Sequence, residues 1–483
     1  MKETNVKKSV ISSLFWRFSE RTAAQGVGFI ISVVLARLLT PEDYGLIGLI
    51  TVFISIASVF VSSGFGNALI QKKDATQTDF SSVFYFSIVM GLIMYAILFV
   101  CSPLIAKFYN EPLLIPVVRV LSISLVIAGI NSVQQAYVSK TMQFKRFFFS
   151  TIIGTIISAV IGIFMAYKGY GVWALVAQTL INQVIDTCIL WFTVKWRPTL
   201  EFSLKEMKKM FSYGWKLLFS NIIDTIYNNL YSLVIGKFYS AKDLGYYNRG
   251  RNIPNLVITN INGSIQSVMF PAFSNCQGDK VRLKAMVRRS IMTSTYIIFP
   301  AMIGLAAVSK PLTVLLLTEK WLPSVPFMQF SCFILAFWPI HTTNLQAINA
   351  VGRSDIFLKL EIIKKIIGFS IMVISIPFGL YVMMIGNCFS AVLSSIINAS
   401  PNKKLLNYSY KEQILDMLPA IFLSIVMGMC VLIWTFFKLS NLLILVCQVL
   451  TGIIVYFLGS KILKLESYDY IVNMIRSLKK GSK

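Results

Sequence analysis

Ala36-Arg37-Leu38-Leu39-Thr40-Pro41-Glu42-Asp43-Tyr44-Gly45 interrupts two long apolar runs, and Gly236-Lys237-Phe238-Tyr239-Ser240-Ala241-Lys242-Asp243-Leu244-Gly245 interrupts two more. In each copy a hydroxyl residue is followed three positions later by an acid: Thr40 with Asp43, Ser240 with Asp243. That spacing suits a capping box, in which the hydroxyl accepts from free backbone N–H groups of a starting helix. The acid complements the positive helix end. Pro41 fits the first helical position, where its missing N–H costs nothing. Each stretch therefore reads as a tight corner at a membrane surface, where one helix stops and the next begins.

The runs flanking these corners set the fold class. The chain of 483 residues is 56% hydrophobic and 13% charged, about half the charge of an ordinary soluble domain. Apolar runs of ~20 residues recur along its whole length, long enough to cross a hydrocarbon core of ~30 Å. Fourteen spans are expected, roughly at 12–37, 43–69, 80–106, 113–137, 147–168, 171–194, 208–236, 243–271, 286–309, 324–348, 356–377, 379–399, 413–437 and 441–461. The first run, preceded by Lys2, Lys7 and Lys8, leads directly into the second and reads as a transmembrane helix rather than a cleavable signal.

Orientation follows from the basic residues. Lys72/Lys73, Lys140/Lys145/Arg146, Lys195 to Lys209, Lys280 to Arg289, Lys403/Lys404/Lys411 and the tail from Lys461 collect on the side of the N-terminus. Arg37, Lys107, Lys168, Lys237, Lys242, Lys310, Lys320 and Lys438 are scattered on the other. The positive-inside rule then places both termini in the cytoplasm. The tail 463–483 puts Ile471, Met474, Ile475 and Leu478 on one helical face beside Arg476, Lys479 and Lys480, the pattern of an amphipathic helix at the inner leaflet.

The echo extends beyond the corners. Ser13-Leu14-Phe15-Trp16-Arg17-Phe18 resembles Ser212-Tyr213-Gly214-Trp215-Lys216-Leu217, Pro103-Leu104 resembles Pro311-Leu312, and Gln135-Ala136 resembles Gln346-Ala347. Spans 1–6 and 7–12 thus form a repeat. Six is even, so both copies enter from the same side and the repeat is parallel. The expected fold is an all-α polytopic membrane protein: two pseudo-symmetric six-helix bundles, 1–200 and 201–400, around a central cleft. Spans 13 and 14 (401–462) and the tail (463–483) are additions. Rocking one bundle against the other is the architecture of a carrier.

Together with Gln143-Phe144-Lys145-Arg146, Glu319-Lys320-Trp321 and Val351-Gly352-Arg353-Ser354-Asp355, the first corner resembles the signatures of bacterial polysaccharide-transporter flippases of the Wzx type. The chain looks most like their colanic-acid-like and teichuronic-acid-like subgroup, within the multidrug/oligosaccharidyl-lipid/polysaccharide superfamily. The resemblance implies a flippase of the bacterial cytoplasmic (inner) membrane. It would move undecaprenyl-pyrophosphate-linked oligosaccharide units to the outer leaflet by alternating access, for lipopolysaccharide or exopolysaccharide synthesis. A polysaccharide polymerase and export machinery would be its partners.

Ionisable residues inside spans cost a few kcal/mol on insertion scales, so they mark cavities, partners or interfaces. Arg17, Arg21, Lys216, Arg249, Arg251 and Lys364 are the expected lining of a cationic cleft for a diphosphate. Arg grips phosphate oxygens through paired N–H bonds and Lys supplies a compact charge. Arg17 and Lys216 are repeat equivalents. Glu20, Asp186 and Asp224 are candidates for binding a coupling proton or sodium ion, or for pairing with the bases. His341 reads as an interhelical hydrogen-bonding residue or a proton relay.

Other functions fit less well. A polymerase or glycosyltransferase needs catalytic acids, a metal site or a large outer loop, and none is written here, so no enzyme is expected. A drug exporter should favour acids in its cleft, whereas a lipid II flippase is chemically close. Cys101, Cys188, Cys332, Cys388, Cys430 and Cys447 lie in apolar runs with no metal-binding spacing, so neither a metal nor another cofactor is expected. The net charge of +25 is spread over loops between membrane helices, which points to anionic lipid or substrate, not nucleic acid.

Overall fold

Both corners form as their sequences require. Thr40 Oγ1 accepts from the Asp43 N–H at 3.2 Å, and Asp43 Oδ2 accepts from the Thr40 N–H at 2.9 Å. Ser240 Oγ likewise accepts from the Asp243 N–H at 3.0 Å and donates to Asp243 Oδ2 at 2.6 Å. This computed structural model describes the backbone of residues 2–62, 65–276 and 278–481, with side chains outside 2–15, 67, 209, 212, 213, 264, 266–268, 270, 271, 474, 475 and 477–481. The described residues form helices and turns and contain no strand. They comprise two compact units, Met1–Gly245 and Tyr246–Lys483.

The first unit holds α1 (Lys2–Leu38), α2 (Pro41–Ser62), α3 (Phe65–Gln71), α4 (Gln77–Tyr109), α5 (Leu114–Leu121), α6 (Ile123–Lys140), α7 (Lys145–Tyr167), α8 (Val172–Thr193), α9 (Leu204–Phe238) and the start of α10 (Ala241–Ser274). α1 packs on α7, α7 on α8 and α4 on α6. The two corners meet in this unit. A Cβ on Gly45 would lie 1.7 Å from the Ala241 carbonyl oxygen, and one on Gly245 would lie 1.9 Å from that of Pro41. Only glycine permits the starts of α2 and α10 to touch backbone to backbone.

Helix α9 is anchored to the first unit at both ends. Met207 and Met210 are buried in a core with Phe65, Leu69, Phe80 and Trp196. At the other end Gly236 packs against Leu49 and Tyr109, and Lys237 Nζ donates to the Phe108 carbonyl at 2.5 Å. The compact units divide at Gly245/Tyr246.

The second unit continues from α10 through α11 (Lys280–Ala307), α12 (Ser309–Leu317), a 3-10 turn (Glu319–Ser324), α13 (Val325–Ala336), α14 (Trp338–Ala350), α15 (Ser354–Ser375), α16 (Leu380–Ala399), α17 (Asn402–Leu406), α18 (Tyr410–Leu432), α19 (Asn441–Ile462) and α20 (Glu466–Gly481). Its centre is a fully buried amide triad: Asn344 Oδ1 accepts from Asn402 at 2.6 Å and from Gln413 at 3.1 Å. Helices α18 and α19 are joined to α11, where Tyr296 donates to Ser460 at 3.0 Å and Tyr456 donates to the Tyr296 carbonyl at 2.7 Å. α20 is a helix as expected and is held to α11 by Arg288–Glu466 at 3.2 Å. The side chains of Met474, Ile475, Leu478, Lys479 and Lys480, on which its amphipathic reading rests, lie outside the described residues.

Eleven described helices or helix pairs are long and apolar enough to cross a membrane. The remaining three expected spans correspond to α9, α10 and α15, the long helices interrupted by Lys216 and Asp224, Arg249 and Arg251, and Glu361, Lys364 and Lys365. The expected spans 113–137 and 324–348 are broken within the described residues. α5 gives way to α6 at Ser122, whose Oγ donates to the Val118 carbonyl at 2.7 Å, a bond that bends helices. α13 gives way to α14 at Phe337, just before Pro339, which cannot donate a helical bond.

Candidate functional site

In the first unit, α1 and α9 carry polar stripes on otherwise apolar surfaces. Arg17, Arg21 and Gln25 are spaced four residues apart on α1, so they share one face. Arg17 donates to Glu20 Oε2 at 2.7 Å, and its guanidinium lies over Phe144 and Phe147 at the start of α7, 5.6 and 5.4 Å from the ring centres. Arg21 and Gln25 are exposed, and open space surrounds Gly26 and Gly28. On α9, Lys216, Ser220, Asp224 and Asn228 recur at the same spacing, and all four are exposed. Phe211, Trp215, Phe219 and Ile223 form a second exposed stripe beside them.

Asp186 sits elsewhere in this unit. It is half-buried on α8 and accepts from Asn131 Nδ2 of α6 at 2.9 Å. One turn earlier Asn182 reaches Thr155 and Ser158 of α7, both at 3.3 Å. Of the three acids considered for ion coupling, Glu20 is the ion-pair partner of Arg17, while Asp186 has a neutral amide beside it.

The second unit separates the three candidate cations it holds. Arg249 is 7% exposed, with its guanidinium 5.6 Å from the ring centre of fully buried Trp321. Its packing leaves little surface to offer a ligand. Arg251 is half-buried; it donates to the Tyr247 hydroxyl at 2.6 Å and lies over that ring. Lys364 pairs with Glu361 at 2.5 Å. The neighbouring His341 has a buried Nδ1 with no hydrogen-bond partner among the described residues.

The charged residues thus fall into two kinds. Arg21 and Lys216 are exposed on helix faces; Arg17, Arg249, Arg251 and Lys364 lean on aromatic rings or a carboxylate. The sequence reading missed the hydroxyl and amide stripes of the two corner helices. α2 carries Thr51, Ser55, Ser58 and Ser62, and α10 carries Arg251, Asn252, Asn255, Thr259 and Asn262. Registering Gly45 on Gly245 matches Thr51 with Arg251, Ser55 with Asn255 and Ser62 with Asn262. That registry was the available signal. A second feature without a sequence signal is an apolar groove of about 400 Å³ in the second unit, lined by residues including Val257, Pro300, Gly304, Val431, Gly452 and Phe457.

A family model described as "Polysaccharide biosynthesis protein" matches residues 34–326. The chain is 26% identical over 434 residues to the lipopolysaccharide biosynthesis protein WzxC of Escherichia coli (strain K12), covering 87% of this chain and 86% of that protein. It is 28% identical over 361 residues to the teichuronic acid biosynthesis protein TuaB of Bacillus subtilis (strain 168), covering 73% of each. In fold it is similar to the lipid II flippase MurJ in an inward closed conformation, with a TM-score of 0.74 at 15% identity over 93% of this chain and 98% of that one.

Proposed function

Because the chain belongs to the polysaccharide biosynthesis protein family, we propose that this multi-pass membrane transporter is a flippase for oligosaccharide units carried on undecaprenyl pyrophosphate. The observation that carries this reading is the pair of exposed polar stripes bearing Arg21 on α1 and Lys216 on α9. A cation on an apolar membrane helix needs water, a partner or an anionic ligand. Arg21 and Lys216 bind the pyrophosphate, assisted by Arg17, while Arg249 of the second unit holds Trp321 in place.

The serine, threonine and asparagine stripes of α2 and α10 offer hydrogen bonds to sugar hydroxyls. The polyprenyl tail need not enter the polar path and can stay in the surrounding lipid. Asp186 is the best placed of the acids to take a coupling proton or sodium ion, because its hydrogen-bond partner is uncharged. Glu20 and Asp224 adjust the charge around the bases. The protein acts in the bacterial cytoplasmic membrane with both termini inside, alongside a polymerase, and carries out no covalent chemistry of its own.

The test is reconstitution into liposomes containing fluorescent undecaprenyl-pyrophosphate oligosaccharide, scored for translocation under imposed proton and sodium gradients. Wild-type protein moves the lipid, and Arg21→Ala with Lys216→Ala reduces the rate at least tenfold at equal protein incorporation. Unchanged transport in the double variant, or no movement of any lipid-linked saccharide, would overturn the reading.

A further inference from the structure

We propose that the second unit carries a binding site for an anionic phospholipid on its basic membrane face, formed by α18 and the turn that ends α19. A groove of about 410 Å³ is lined by Leu418, Ile421, Phe422, Ile425, Leu463 and Leu465. Its volume falls in the ~300–1,000 Å³ range of small-ligand sites, and its walls are hydrocarbon. Pro419 lies within this stretch of α18 and removes one helical bond to the preceding turn.

Lysines flank, in sequence, the segments that line the groove. Lys411, Leu415, Leu418, Phe422 and Ile425 follow heptad-like spacing, so one exposed face of α18 runs from a lysine into the groove. Lys461 and Lys464 are exposed on the other side, Lys464 between two of the lining leucines. Three acids of α18 and α20 are already engaged, Glu412 with Lys284, and Asp416 and Glu466 with Arg288, while Asp469 is exposed on the first turn of α20. Among the described residues no carboxylate pairs with Lys411, Lys461 or Lys464. An acyl chain in the groove would place its phosphate among these three ammonium groups, and juxtamembrane lysines favour acidic lipid.

The backbone fixes where Lys464 sits. Helix α19 ends with Leu465 N–H bonded to Ser460 O at 3.1 Å and Lys464 N–H directed to Lys461 O at 3.3 Å. This is the Schellman arrangement, whose left-handed position normally holds glycine. Here it holds Lys464, at φ 49°. The left-handed turn sets Lys464 between Leu463 and Leu465, both of which line the groove.

The test uses the full-length protein in nanodiscs of phosphatidylcholine with one-fifth phosphatidylglycerol, followed by native mass spectrometry of retained lipid. Wild-type protein keeps phosphatidylglycerol in preference to phosphatidylcholine. Lys461→Gln with Lys464→Gly lowers that retention on the order of tenfold. Lys464→Gly alone raises the thermal midpoint, because glycine relieves the left-handed turn, so lost retention cannot be ascribed to misfolding. Leu418→Trp fills the groove and abolishes retention with all three lysines present. Equal retention of phosphatidylcholine, or retention indifferent to both variants, would overturn the site. Displacement of phosphatidylglycerol by equimolar undecaprenyl pyrophosphate would also overturn it, by making the groove a place for cargo.

Discussion

Lys72 connects three segments through a single ammonium group. It lies between α3 and α4, donates to Asp79 Oδ2 at 2.7 Å and to Glu206 on the first turn of α9 at 3.0 Å. Asp79 is fully buried and also closes the capping box of α4. The hydrogen bond that Lys72 donates to Asp79 raises the Lys72 pKa above its ordinary 10.5; burial opposes this and the bond to Glu206 adds to it. A raised folded pKa means the contact contributes fully below about pH 10.5 and is lost as pH climbs through the folded value. Lys72→Met should therefore lower stability by about 1–2 kcal/mol at neutral pH, a modest figure because Lys72 is a third exposed. It should also remove part of the wild-type loss above pH 10.5, both read from thermal unfolding in detergent. An unchanged alkaline profile would mean the contact contributes nothing. The corner hydroxyls make a simpler prediction: Thr40→Ala and Ser240→Ala should each cost about 1 kcal/mol, measured the same way.

At the scale of helices, what is local was readable and what needs a partner was not. A capping box is a contact between residues three apart, so Thr40–Asp43 and Ser240–Asp243 were legible from their spelling. The role of Gly45 and Gly245 was hidden, because it exists only where α2 and α10 meet. The break at Phe337 had a visible cause in Pro339, whereas nothing marked Ser122 until its hydroxyl was seen bonded back to Val118. The crossing yields a sharp contrast among glycines. Gly45→Ala and Gly245→Ala push a methyl into backbone oxygen at 1.7 and 1.9 Å. Each should cost about 3 kcal/mol or more, the upper end of overpacking penalties. Gly26→Ala and Gly28→Ala enter open space on α1 and should instead stabilise that helix by about 0.5–1 kcal/mol each. Fluorescence-detected size exclusion after heating separates the two pairs; equal behaviour would mean the crossing is not a close one.

For the molecule as a whole, the long polar helices matter more than the greasy ones. Hydropathy recognises eleven spans among the described residues, while α9, α10 and α15 fall short because they carry Lys216 and Asp224, Arg249 and Arg251, and Glu361, Lys364 and Lys365. Composition could flag those residues but could not sort them. Arg21 and Lys216 lie exposed, Arg249 is folded onto Trp321, and Lys364 is tied to Glu361, since burial depends on neighbours far away in sequence. Counting all three polar helices as spans gives fourteen, an even number, so the two ends of the chain must share one side. Eleven spans would put them on opposite sides. The distinction is measurable in a cysteine-free background, with single cysteines placed at exposed loop lysines and labelled by a membrane-impermeant maleimide in intact cells. Cysteines at Lys73 and Lys404 should be protected until the membrane is opened, and those at Lys168 and Lys438 should label at once, because basic residues concentrate on the cytoplasmic side. If Lys73 and Lys404 labelled oppositely, an odd number of crossings would separate them. At least one polar helix would then lie outside the bilayer, and its charges would require no cavity, partner or anionic cargo to explain them.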